Sequence, residues 1–333
     1  MVDLKKIPKA ELHLHLEGAI SPSIFLSLSK EYRTKYSSLT EDQVGEQLFQ
    51  YTDFYDFIRM YRVLCEHLRK PSDYVRVLDW LAKYFVQENI RYAEIIYTPS
   101  IPWKFKRDAR EILVSLLRKS SEIQSSHGVI IRWILDCVRQ WEPSLARKTA
   151  ELAVEFQEEG VVALGLGGDE RSSPMESFQE VFSWAKSQQL FIHVHAGEVG
   201  GPDQIWKALQ VLGANRIGHG IQAARDPELM KYLRSHAIAL DICLTSNLKT
   251  GAWTPISENP FGLLYRRGVF VTLSTDDPGL FETSLTREFE KAVRYFRLEE
   301  SDIHRIVLQS VHSSFLPRQE KMKLMEQFLG ELV

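Results

Sequence analysis

"KAELHLHLEGAI", residues 9–20, alternates apolar and polar positions as a buried strand does, yet two of those positions are imidazoles, His13 and His15. Side chains at i and i+2 share one face of a strand, so the two rings point the same way. Buried imidazoles are costly unless they are hydrogen-bonded or coordinated. Singly, each reads as a satisfied core histidine. As a pair they ask for partners elsewhere in a chain that holds only ten histidines.

Working outward from the first run, "AELHLHL" (10–16), seven more short apolar runs rich in β-formers follow. They are "RYAEIIYT" (91–98), "VIIRWILDCV" (129–138), "VVALGLGG" (161–168), "LFIHVHAGE" (190–198), "RIGHGI" (216–221), "IALDICLT" (238–245) and "VFVTLSTD" (269–276). Between them the apolar period is helical, as in "SLARKTAELAVEFQEEG", where Leu145, Thr149, Leu152, Ala153 and Phe156 share a face. Strand then helix, eight times over, predicts an α/β fold, a closed (β/α)₈ TIM barrel; a doubly wound open sheet is the alternative. No linker or low-complexity tract divides the chain, so 1–333 reads as one domain, with C-terminal helices over 284–331. The spacing is uneven after the first run, where 17–90 reads as a helical insertion. Within it "TDFYDFIRMYRVLCEHL" carries a stripe of Phe54, Phe57, Ile58, Tyr61, Leu64, Cys65 and Leu68 behind a candidate N-cap at Thr52. An excursion there lands at the C-terminal face of a barrel, either as a lid or as extra packing.

Composition narrows the class. Hydrophobic residues make up 44% and charged residues 26% of 333, ordinary for a globular chain that buries a large core. The net charge of -3 gives no reason to expect nucleic acid or an anionic membrane as partner. Cys65, Cys137 and Cys243 are odd in number, scattered and without a C-x-x-C, which points to a reducing compartment and no cysteine metal site. The start, "MVDLKKIPKAELH", lacks the apolar run of a signal peptide and no segment is long enough to span a membrane, so a cytoplasmic protein is expected, its oligomeric state open.

The ionisable residues collect at the C-terminal ends of the runs: His13 and His15; His193, His195 and Glu198; His219; Asp276 and Asp277. Closing strand 8 against strand 1 brings Asp276 beside His13 and His15, with strand 5 across the mouth. Three histidines and an aspartate converging there suit one Zn²⁺ with a position left for water. Such an ion lowers the pKa of water from 15.7 to about 7, and His219, Glu198 and Asp277 remain to move protons. The end of run 4, "GLGGDERSSP", has no lysine that would bridge a second metal once carbamylated, so one metal per chain is expected. Zinc deaminases built on H-x-E and P-C-x-x-C are excluded, because the chain has no such cysteine pair. At this level the reading is a metal-assisted hydrolase or deaminase without a substrate.

"ELHLHLEGAI", "GGDE", "HAGE", "RIGHG" and "STDDP" together resemble the adenosine deaminase family of the amidohydrolase superfamily, in its order and spacing across nearly the whole chain. The resemblance implies a (β/α)₈ barrel with Zn²⁺ held by His13, His15, His195 and Asp276. It further implies that Glu198 protonates purine N1, His219 takes a proton from the attacking water, Asp277 hydrogen-bonds N7 and the Gly168 N–H reaches N3. Water then adds to C6 and ammonia leaves. An aromatic C6–NH₂ is a poor electrophile until N1 is protonated, so the chemistry itself asks for a carboxyl kept protonated in an apolar cleft.

Two departures bear on the substrate. Members specialised for adenosine tend to carry Asp where this chain has Glu17, near the ribose 5′-hydroxyl, and "DLAGDE" where it reads "GLGGDE", so that Gly165 replaces an aspartate. The expectation is a pocket open to a bulkier 5′ substituent. "YTDFYDF" (51–57) and "WILDCVRQ" (133–140) look more like members that deaminate 6-aminodeoxyfutalosine in menaquinone synthesis, and Arg139 is then a candidate partner for that substrate's benzoate carboxylate. Adenine deaminases, another mononuclear amidohydrolase, and a non-catalytic nucleoside-binding barrel are the competing readings; the last would be expected to lack a ligand or the N1 acid, and none is missing.

Overall fold

The computed structural model describes residues 3–332. Eight parallel strands form one sheet in chain order: β1 Lys9–His15, β2 Ile90–Tyr97, β3 Ile130–Val138, β4 Val161–Gly167, β5 Phe191–Ala196, β6 Arg216–His219, β7 Leu240–Ile242 and β8 Val271–Leu273. Helices stand between successive strands, which makes the architecture the expected (β/α)₈ barrel. The seam between β8 and β1 is closed at its top. Leu14 bridges Asp276, with the His15 N–H donating to Asp276 O at 2.8 Å and the Asp276 N–H to His13 O at 3.1 Å.

The inward-facing side chains form layers. An apolar layer of Ile96, Ile134, Ala163 and Phe315 fills the barrel's lower interior. Strand periodicity then turns Asp136 inward above Ile134, and Gly165 and Gly167 inward above Ala163. A polar layer is tied by Arg216. Its guanidinium donates to Glu94 Oε2 at 2.6 Å, Asp241 Oδ2 at 2.7 Å, Leu12 O at 2.9 Å and Ser313 O at 3.0 Å, with its carbon 4.1 Å over the Phe315 ring. Phe315 lies on the connection between helices Glu300–Ser313 and Arg318–Leu332, so the C-terminal region plugs the barrel's floor.

Three local readings are revised by packing. Runs 7 and 8 are longer than the strands they contain, because "LTSNLK" turns into helix Leu244–Lys249 and the chain leaves β8 before Asp276, whose φ is +66°. In helix Pro143–Glu155 the buried stripe uses Ala146 and Ala150, while Leu145 is only partly covered. Helix Phe54–His67 is capped by Asp53, which accepts from the Asp56 N–H at 2.9 Å; Thr52 instead bonds the Asp56 carboxylate through its own N–H and hydroxyl. The insertion after β1 contains a single turn, Glu17–Ala19, then helices Pro22–Glu31, Glu41–Gln47 and Phe54–His67, before helix Pro71–Gln87 runs back to β2. Among the described residues no helix is long and apolar enough to cross a membrane.

Candidate active site

Five imidazoles meet at the upper mouth of the barrel. His13 lies with its ring centroid 5.4 Å from His15, 4.5 Å from His195, 5.1 Å from His193 and 5.0 Å from His219. His13 Nε2 and His15 Nε2 stand 3.1 and 3.3 Å from Asp276 Oδ1, and His15 Nε2 is 3.1 Å from His195 Nε2. Burial drives the His15 imidazole down to about 3 and holds His195 well below its ordinary value, so these two rings are neutral donors of lone pairs. Burial opposes ionisation of Asp276, but the adjacent His13 ring, with His219 and His15, holds its carboxyl well below the usual range. Ser246 Oγ donates to its other oxygen at 2.7 Å. Neither ring nitrogen of buried His13 has a hydrogen-bond partner. Unpartnered imidazole nitrogens around an anionic oxygen fit a divalent cation of the zinc type. Ligand atoms of His13, His195, His219 and Asp276 all lie within 4.8 Å of one another, a set that takes in His219 where the sequence reading placed His15. His193 sits one layer lower, with Nε2 3.1 Å from Asp241 Oδ2.

The groups expected to move protons border this cluster. His219 Nε2 is 3.7 Å from Glu198 Oε2 and 3.8 Å from Asp276 Oδ2. Burial pushes the Glu198 carboxyl up to about 7. Against the penalty of burial, the charges of Glu198 and Asp276 raise His219 above its ordinary value. Burial, with the charges of Asp276, Glu198 and Glu17, holds Asp277 well above the carboxylate range. His219 and Asp276 both adopt left-handed backbone, φ +61° and +66°, which turns their side chains over the cluster. The Glu198 turn is gripped by Glu170, whose carboxylate accepts from the N–H groups of Gly197, Glu198 and Val199 at 2.7–3.0 Å.

These groups form the inner wall of a cavity of about 510 Å³. His15, His195, Glu198, His219, Asp276 and Asp277 line it, as does Gly168, whose φ of +91° and contact with Gln140 leave no room for a side chain. Tyr61 stands 6.5 Å from the His15 ring, while Phe54, Phe105 and Trp141 line the cavity beside two exposed cations, Arg62 and Lys104, paired with Glu66 and Glu142. Helix Phe54–His67 thus supplies a wall of the cavity. Two residues expected at the substrate stand back from it. Glu17 is buried, its Oε1 accepting from the Thr98 N–H at 3.1 Å, and burial lifts its carboxyl to about 7. Arg139 is buried behind the wall, with its guanidinium on the backbone oxygen of His195. Gly165 opens no extra space, because Asp136 fills the notch it leaves. The sequence reading missed Asp136, Glu170, Ser246, Arg62 and Lys104, although Glu170 lay inside "GGDE", Asp136 inside "WILDCVRQ" and Arg62 on the helix of the insertion, all stretches it had singled out.

Residues 8–329 match the family model described as adenosine deaminase. An aminodeoxyfutalosine deaminase of Streptomyces avermitilis is 35% identical over 321 residues, 96% of this chain and 89% of that protein. An adenosine deaminase of Clostridium kluyveri is 28% identical over 332 residues, 99% of this chain and 95% of that protein. The crystal structure of an adenine deaminase from Arthrobacter aurescens superposes with a TM-score of 0.91 at 22% identity, over 97% of this chain and 98% of that one, a likeness of fold. With the barrel, the mouth cluster and the family match in agreement, the chain belongs to the adenosine deaminase family.

Proposed function

We propose that the protein is a zinc-dependent hydrolytic deaminase of an adenine-ring nucleoside and that 6-aminodeoxyfutalosine is its preferred substrate. The reaction consumes one water, replaces the C6 amino group by oxygen and releases ammonia. The observation that carries this reading is Glu198: a buried carboxyl, pushed up to about 7, in the cavity and 3.7 Å from His219. A proton held there at neutral pH is available to purine N1, which makes C6 electrophilic. His219 receives the proton lost by the attacking water at Nε2 and passes it to the departing amine. Asp277, whose carboxyl burial pushes well above its ordinary range, donates to N7, and the Gly168 N–H faces N3. His13, His15, His195 and Asp276 would hold Zn²⁺, which when bound supplies Lewis-acid activation of the water.

The substrate assignment rests on the outer cavity and on the 35% identical relative. Phe54, Phe105 and Trp141 offer stacking faces, and Arg62 and Lys104 offer charge to an aromatic carboxylate carried at the 5′ position. The test is kcat/KM of the zinc-replete protein on adenosine, adenine and 6-aminodeoxyfutalosine side by side, followed by ultraviolet absorbance. Preference for the last by at least tenfold is expected; preference for adenosine would reduce the outer cations to solvated surface charge.

A further inference from the structure

We infer that Asp136, on β3, is the positioning residue for His195: in the metal-loaded protein its carboxylate accepts the Nδ1–H of that imidazole and so presents Nε2 to the metal. The inference rests on the metal reading above. His195 Nε2 faces the cluster, 3.1 Å from His15 Nε2, which turns Nδ1 away from it. That Nδ1 is buried and has no partner, and neither has Asp136 Oδ1. A β-carbon on Gly167 would stand 2.6 Å from Asp136 Oδ2 and 3.4 Å from His195 Nδ1, so both atoms border the same notch over β4. A β-carbon on Gly165 would overlap Asp136 Oδ1. The carboxylate that adenosine-type members carry on strand 4 is therefore supplied here from strand 3, and two glycines make way for it. Histidine ligands of metals generally donate their second ring N–H to such an acceptor, which fixes the tautomer and the ring plane. Arg139 grips the backbone oxygen of the same histidine from behind.

The test transfers the carboxylate between strands. Asp136→Ala, Gly165→Asp and the double variant are loaded with zinc, and release of zinc to a chelator is timed beside kcat and KM. Asp136→Ala should lose zinc about 10- to 100-fold faster than the parent, with kcat lowered and KM little changed. Its metal-free form should melt no lower than the metal-free parent, because the variant removes a buried carboxyl oxygen that lacks a partner. Gly165→Asp alone, with two carboxylates in one notch, should lose zinc as well, and the double variant should regain zinc retention to within a few-fold of the parent. Unchanged zinc release in Asp136→Ala, a change confined to KM, a collapsed metal-free fold, or no recovery in the double variant would each overturn the assignment. A parent chain that holds no zinc at all would overturn the metal reading with it.

Discussion

Glu198→Gln tests the chemistry most directly. The substitution keeps the side chain's shape and an oxygen for the Thr250 hydroxyl, which donates to Glu198 Oε1 at 3.4 Å, but removes the transferable proton. General-acid catalysis contributes roughly 10²- to 10⁴-fold, about 3–5.5 kcal/mol at 1.36 kcal/mol per tenfold. The structure adds a pH signature. Burial raises this carboxyl to about 7, so its acid form predominates below that value and is lost as pH rises through it. The parent's kcat/KM should then fall about tenfold per pH unit on the alkaline side, whereas the glutamine variant has no such limb. The ratio of the two should be on the order of 10²–10⁴ near pH 6 and about a hundredfold smaller at pH 9. The assay is the absorbance change on deamination from pH 5.5 to 9.5, with zinc content measured at each end. A variant that turns over like the parent, or a ratio that does not change with pH, would refute the assignment of Glu198 as the N1 acid.

Gly18→Ala would push a methyl group into Asp277 Oδ1; a displacement of that size should lower kcat roughly 100-fold while zinc content, read by elemental analysis, stays at one equivalent. Arg216→Met strands the buried carboxylates of Glu94 and Asp241, at a cost of ~3–5 kcal/mol, on the order of 10 °C in Tm by calorimetry. Lys104→Gln should raise KM for 6-aminodeoxyfutalosine about fivefold, roughly 1 kcal/mol, and leave KM for adenosine unchanged; equal effects on both substrates would remove Lys104 from 5′ recognition.

The barrel was legible because its strands are buried on both faces and read as apolar runs bounded by turns. The cluster was legible because histidines at i and i+2 on a strand share a face, so "HLH" and "HVH" each announce two rings pointing inward. Strand ends were less so. Asp276 lies past β8, held by a left-handed turn and a bridge to Leu14 that no local pattern encodes. The substrate wall was misjudged for a similar reason. The loss of an aspartate at Gly165 read as space, whereas the neighbouring strand refills it with Asp136, a compensation visible only once β3 and β4 are paired at Asp136 and Gly165. Arg139 carries the right charge, but its position just past β3 turns the guanidinium behind the cavity onto His195 O.

The seam between β1 and β8 also sets a timetable for the protein's maturation. Among its ties is the Thr275 N–H on Glu11 Oε1, a contact spanning 264 residues of chain. Contacts of that separation form late, after the loop they close has been organised by shorter ones. On the ribosome His13 and His15 emerge first and Asp276 only after all eight strands have been made. Zinc fingers fold as they capture their ion; the four ligands proposed here come together only when the last strand docks against the first. Metal binding at the proposed site would therefore follow barrel closure and not guide it. A nascent chain stalled before β8 would present the three imidazoles of His13, His15 and His195 with no carboxylate to complete the proposed set.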